Sequence, residues 1–255
     1  MTDERVISFV VPAYNEAEFL PASLEAIHSA ARSLGLAYEI VVADDASTDD
    51  TAAVAEAHGA RVVACSNRQI AATRNSGAAE AVGEYLIFVD ADTTVSREVV
   101  GAALEALDGG AAGGGAGVRF VEPVPLQWRI FLWTVVHSFR VVRWAAGSFV
   151  FCRKDAFEAA GGFDETMYAA EEIEVSRALK RQGRFVVLRE YVETSGRKFN
   201  GHGSWKIFFV LASIVLGGRR AVSSREGLEL WYGDRTLPCR SGSRSAPSLS
   251  SGRDV

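Results

Sequence analysis

Three cysteines in 255 residues, Cys65, Cys152 and Cys239, stand far apart and outside any metal-ligand spacing. So sparse and odd a set excludes a disulfide-framed scaffold and fits a reducing compartment with all three thiols free. Basic residues are not in excess either. The 27 Lys and Arg against 32 Asp and Glu leave a formal net charge of −5, which speaks against a nucleic-acid binder. No run reaches the roughly 20 apolar residues needed to cross a bilayer. The nearest, IFFVLASIVLGG at 207–218, is too short and reads as a core segment or as a helix lying at a membrane surface. The N-terminus, MTDERVISFVV, lacks a basic stretch and a cleavage site, so no signal peptide is expected and the location predicted is cytoplasmic. No internal repeat is present.

What is present is apolar patterning, with 48% apolar residues, enough for a sizeable core. VISFVV (6–11) is a compact run ending at Pro12, the pattern of a strand buried on both faces. Phe19, Leu20, Leu24, Ile27, Ala31 and Leu34 then recur at helical spacing, with Gly35 as a stop. EIVVA (39–43), ARVVACS (60–66) and YLIFVD (85–90) predict three further strands, and 50–58, 69–82 and 96–107 predict the helices between and after them. Ser47 or Thr48 is placed to cap the 50–58 helix, with Asp49 and Asp50 favourable in its first turn. This alternation predicts an α/β fold with a mostly parallel central sheet and helices on both faces.

Later in the chain, GGAAGGGAG (109–117) reads as a flexible connection: no strong strand precedes it and no Lys-Ser/Thr follows, so it is not a phosphate loop. PLQWRIFLWTVVHSFRVVRWA (125–145) is helical and aromatic, either core or a lipid-facing surface. A strand is expected at 147–153, a short helix with a glycine stop at 155–165, and a helix at 171–183. From Asp234 onward no apolar period is present and disorder is expected.

In parallel α/β sheets, ligands bind outside the carboxyl ends of the strands. Those ends here carry Pro12-Ala13-Tyr14-Asn15-Glu16, Asp44-Asp45 and Asp90-Ala91-Asp92, three polar clusters on one rim. Asp90 and Asp92 repel each other unless a positive group or water intervenes. They either cap the next turn or hold a hard divalent cation, Mg²⁺ or Mn²⁺, through oxygen. Asp45 can accept from a base N–H or cap a helix. Tyr14 can stack on a base or pack, and Arg74 can fork a phosphate or sit in solvent.

Taken together, VVPAYNE, VVADDASTDDT, ATRNSGAAEAVGEYLIFVDADT and AGSFVFCRKDAFEAAGGFDE resemble, in order, the family 2 glycosyltransferases of the GT-A fold, over about residues 5–200. The resemblance implies a nucleotide-diphospho-sugar donor. Pro12, Tyr14 and Glu16 would line the nucleotide pocket, with Asp45 on the base and Arg74 near the phosphates or ribose. Asp90 would lie by the ribose or metal, with Asp92 the principal metal ligand. Where the family places a Glu-Asp pair at the head of a late helix, this chain has Glu171-Glu172. Glu172 matches the general base, one methylene longer than the family's aspartate. The acids at that helix end otherwise simply favour its macrodipole. In TSGRKFNGHGSW (194–205), Arg197 and Lys198 suit a loop closing over a diphosphate, and His202 is the candidate for a late metal ligand.

Domain boundaries follow: a transferase domain at 1–200 (nucleotide half about 1–108, acceptor half about 117–200), a closing loop and apolar helix at 201–233, and a tail at 234–255. The acceptor stays open among a lipid phosphate, a glycan and a small molecule, and the aromatic segments predict a peripheral membrane contact. The competing readings are a nucleotidyltransferase, which would more often open with a Gly-rich basic loop where this chain has PAYNE, and a non-catalytic nucleotide-sugar binding protein at a membrane surface.

Overall fold

Residues 6–121, 147–167 and 171–195 are described by a computed structural model. The predicted segments at 125–145 and 207–218, the loop with Arg197, Lys198 and His202, Cys239 and the tail lie outside these residues.

Apolar runs of the first half form the strands expected: β1 (Val6–Ala13), β2 (Ala37–Asp45), β3 (Arg61–Cys65) and β4 (Tyr85–Val89). Helices α1 (Leu20–Ser33), α2 (Thr51–Ala57), α3 (Ile70–Glu80) and α4 (Arg97–Asp108) alternate with them, a short β5 (Thr93–Thr94) preceding α4. Pro21 sits in the first turn of α1, where its missing N–H costs nothing. The Gln69 and Ser96 side chains cap α3 and α4 by accepting from the Ala72 and Val99 amides. The second half adds β6 (Gly113–Phe120), β7 (Phe149–Arg153), α5 (Lys154–Ala160), α6 (Glu171–Gln182) and β8 (Phe185–Thr194).

The eight strands among the described residues share one sheet, ordered β3-β2-β1-β4-β7-β6-β8-β5. The first-half strands β3-β2-β1-β4 are parallel, as is the β6–β8 pair. β7 runs antiparallel to β4 and β6, and β5 antiparallel to β8. Both faces are covered. On one, Phe9, Val11, Val42 and Ile87 pack against Leu24 and Ile27 of α1 and Val99 and Ala103 of α4. On the other, Val10, Leu86 and Phe88 pack against Ala78 of α3, Phe157 of α5 and Leu179 of α6. Among the described residues no helix is long and apolar enough to cross a membrane.

Two expectations need correction. The glycine run is not a connection: 113–117 lie in a central strand flanked by β7 and β8. A side chain on Gly114 would run into the Val186 carbonyl and the Phe151 ring, so absence of side chains lets the neighbours close over this strand. Ser47 and Thr48 do not cap α2. Ser47 Oγ accepts from the Asn15 amide, the Thr48 amide donates to Asn15 Oδ1, and Asp50 is the residue at the cap.

Candidate donor and base site

Adjacent order β2-β1-β4 places the three polar clusters side by side at one sheet edge. The span from β2 to β4 is two strand spacings, about 10 Å. The loops after β1 and β2 are laced together. Besides the Asn15 contacts, the Glu16 amide donates to Thr51 Oγ1 at 2.8 Å and the Ala17 amide to Asp49 Oδ2 at 3.2 Å. Burial works against the Asp49 carboxylate, but bonds from Thr51 and from the Ala17 amide outweigh it and hold its pKa below the ordinary value. Asn15, Ala46 and Arg68, all in loops at this rim, have positive φ of 53°, 56° and 52°. Pro12 is buried in β1, and Tyr14 and Glu16 stand half-buried just beyond it.

Asp45 is fully buried and its Oδ1 accepts from the Arg68 amide at 2.8 Å. Its neighbour Asp44 points to the opposite face of the strand and has a buried Oδ1 with no hydrogen-bond partner among the described residues. The sequence put Asp44 on the rim without a role of its own; the base contact fell to Asp45 through the family resemblance. A buried acceptor left over at a strand end is a cue that only coordinates reveal.

Beneath the rim stands Arg74, 1% exposed. Its Nη2 donates to Asp90 Oδ1 at 2.8 Å and to the Gly147 carbonyl at 2.9 Å, and its Nη1 donates to Glu171 Oε1 at 2.8 Å. Glu172 Oε1 lies 3.6 Å from the same Nη1, and the guanidinium carbon is 5.2 Å from the centre of the Phe163 ring. Burial disfavours this charge, but Asp90, Glu171 and Glu172 outweigh it and raise the Arg74 pKa further. One guanidinium cannot neutralise three carboxylates. Burial and the adjacent Glu172 push the Glu171 pKa up against the pull of Arg74, so the buried acid tends to keep its proton.

Asp90 is thus paired with the protein's own cation, Arg74. Arg74 itself is enclosed by protein groups, and its buried Nε has no hydrogen-bond partner among the described residues. Asp92 is half-buried, with Oδ1 accepting from Thr194 Oγ1 at 3.3 Å, a contact to β8 that sequence reasoning missed. Asn75 was missed too: its amide bonds Phe163 N and O and Glu165 Oε1 at 2.8–2.9 Å, pinning the turn that carries the Phe163 ring.

Carboxylate oxygens suit Mg²⁺ or Mn²⁺. Among the described residues, however, no group of three or more Asp, Glu, His or Cys could hold a metal ion. Asp90 and Asp92 alone would make only a partial oxygen shell for such a cation. Cys65 and Cys152 are free, and burial raises both thiol pKa values, that of Cys65 to about 11. His28 bonds the Tyr38 hydroxyl and the His58 carbonyl, a structural role.

A family model described as Glycosyl transferase family 2 matches residues 8–157. The undecaprenyl-phosphate 4-deoxy-4-formamido-L-arabinose transferase of Klebsiella pneumoniae (strain 342) is 35% identical over 116 residues, 41% of this chain and 34% of that protein. The succinoglycan biosynthesis protein ExoO of Rhizobium meliloti (strain 1021) is 35% identical over 127 residues, 48% of this chain and 35% of that protein. The chain thus spans about a third of the length of these relatives. Among solved structures, S. aureus TarS 1-349 superposes with a TM-score of 0.59 at 17% identity, over 90% of this chain and 71% of that one. The mannosyltransferase PcManGT from Pyrobaculum calidifontis, in complex with GDP-Man and Mn²⁺, gives 0.61 at 22% identity, over 82% and 62%. At such identities the likeness is one of fold.

Proposed function

Because this chain belongs to glycosyl transferase family 2, we propose that it moves a sugar from a nucleoside-diphosphate donor to an acceptor hydroxyl or lipid phosphate, with inversion at the anomeric carbon. A UDP-sugar is the first candidate donor and GDP-mannose the second. The observation that carries this reading is the meeting of Asp90, from the end of β4, with Glu171 and Glu172, from the head of α6, around Arg74. In this reading, that meeting is where the donor edge and the base come together.

In this reading Pro12, Tyr14 and Glu16 line the nucleotide, and Asp45 or the unpaired Asp44 oxygen accepts from the base. Asp92, with help from Asp90, holds Mg²⁺ or Mn²⁺. When bound, the cation supplies electrostatic stabilisation to the departing diphosphate. Glu172 Oε1 or Oε2 takes the proton of the attacking hydroxyl, help typically worth about 10²–10⁴-fold. Attack opposite the leaving group inverts the anomeric centre.

The acceptor and location belong to this proposal too. The relatives whose name specifies undecaprenyl phosphate support a lipid phosphate, and with it a peripheral contact at the inner face of a membrane. A phosphate acceptor arrives already ionised and needs a base less than a hydroxyl does. The test is release of UDP or GDP from a panel of donors, with Mn²⁺ or with chelator, followed by product mass spectrometry. Loss of turnover on chelation, in Asp92→Ala and in Glu172→Gln supports the reading. Unchanged transfer in both variants overturns it. A product formed at full rate by Glu172→Gln only with lipid phosphate would assign the acceptor and remove the base role.

A further inference from the structure

Arg74 makes no use of solvent, and its partners come from three places: the end of β4, the backbone just before β7, and the head of α6. Gly147 contributes twice. Its carbonyl accepts from Arg74 Nη2 at 2.9 Å, and its missing side chain leaves the space that the Glu172 carboxylate occupies. A Cβ on Gly147 would overlap Glu172 Oε1 and stand 3.0 Å from Glu172 Cδ. Glu172 is therefore bounded by a cation on one side and by bare backbone on another.

We propose that Arg74 and Gly147 are positioning residues for Glu172: Arg74 ties the head of α6 to Asp90, and Gly147 keeps open the slot in which the Glu172 carboxylate sits, without either residue touching the donor. This rests on Glu172 acting as the base. A flexible glutamate reaches many rotamers, and misplacing a reacting group by about 1 Å can cost about 10²-fold in rate. The clamp removes that freedom. The raised pKa of Glu171 agrees with the arrangement, because a protonated Glu171 leaves the charge of Arg74 to Asp90 and Glu172.

The test uses the full chain and reads release of UDP or GDP from UDP-GlcNAc and GDP-mannose with Mn²⁺, alongside calorimetric binding of UDP and GDP. Gly147→Ala meets only the far end of a flexible side chain, so it should fold. Arg74→Lys keeps the charge but cannot bridge Asp90 and Glu171 together. Each is expected to lower kcat about 10²-fold while nucleotide Kd stays within about twofold. The double variant Gly147→Ala/Glu172→Gln should be no slower than Glu172→Gln alone, since both changes act through one carboxylate. If Arg74→Lys melts at the assay temperature, the Gly147 cycle decides by itself. A normal kcat in folded Gly147→Ala, a multiplicative loss in the double variant, or a loss confined to nucleotide Kd overturns the inference. Wild-type turnover in Glu172→Gln removes the base role on which this inference rests, whereas unchanged transfer in both Asp92→Ala and Glu172→Gln overturns the functional reading, so the failures are distinguishable.

Discussion

Asp90 Oδ1 and Arg74 Nη2 stand 2.8 Å apart, the arginine buried and the aspartate 20% exposed. One member of the rim's aspartate pair is thus held from below by protein charge, while Asp92 faces a threonine hydroxyl on β8. The two carboxylates have different partners, and the expected consequences of removing them differ. Asp90→Asn strips a buried cation of a charged partner and should cost about 2–4 kcal/mol of stability. Asp92→Asn should cost under about 1 kcal/mol yet abolish Mn²⁺-dependent nucleotide binding. Urea denaturation and calorimetry on the two variants check both halves.

Glu171 makes stability depend on pH. Its pKa in the fold is raised from 4.5 to about 8. Between those values the unfolded chain releases a proton that the folded one keeps, so stability should fall as pH rises from about 4.5 to 8 and level off beyond. Glu171→Gln mimics the protonated form and should flatten that part of the curve. Denaturation at pH 5 and pH 8 measures it; equal slopes in both proteins would assign the dependence to other groups.

Ala46 carries a φ of 56° in the loop after β2. The left-handed conformation costs a Cβ-bearing residue about 1–2 kcal/mol, and glycine adopts it freely. Ala46→Gly is expected to stabilise the protein by about 1 kcal/mol, read as a higher urea midpoint at unchanged slope.

Gly114 lies where β7 and β8 close on β6. Gly114→Ala would set a methyl against the Val186 carbonyl and the Phe151 ring. Overpacking of this kind costs about 1–3 kcal/mol, and with backbone on one side the upper end is expected. Gly110→Ala tests the converse: space is open there, and only its φ of 82° opposes the change.

Strands β1 to β4 and helices α1, α3 and α4 were legible because each declares itself within a short window. Apolar runs stop at Pro12, Asp44 and Asp90, and apolar residues recur at helical spacing between them. The same reading put the polar clusters on one rim, since the rule for strand ends needs only chain order and handedness. β6 escaped it. GGAAGGGAG has neither alternation nor strand propensity, and it is a strand because the neighbouring strands pair with it. No strand was read at 185–194 or at 93–94, yet β8 and β5 complete the sheet there. The Ser47 and Thr48 caps were misread because Asn15, 32 and 33 residues away, bonds those residues instead.

By itself the sequence determined the fold class, the family motifs and the chemical types at the rim: paired carboxylates at a strand end, acids at the head of a helix and an arginine in the chain between them. Local propensity and residue chemistry suffice for that. Only the tertiary structure decided which charges meet. Arg74 finds Asp90 16 residues on, Gly147 73 residues on and Glu171 97 residues on. Burial then decides how strongly they interact, because one guanidinium shared among three carboxylates in a water-poor interior favours protonation of the most buried acid, Glu171.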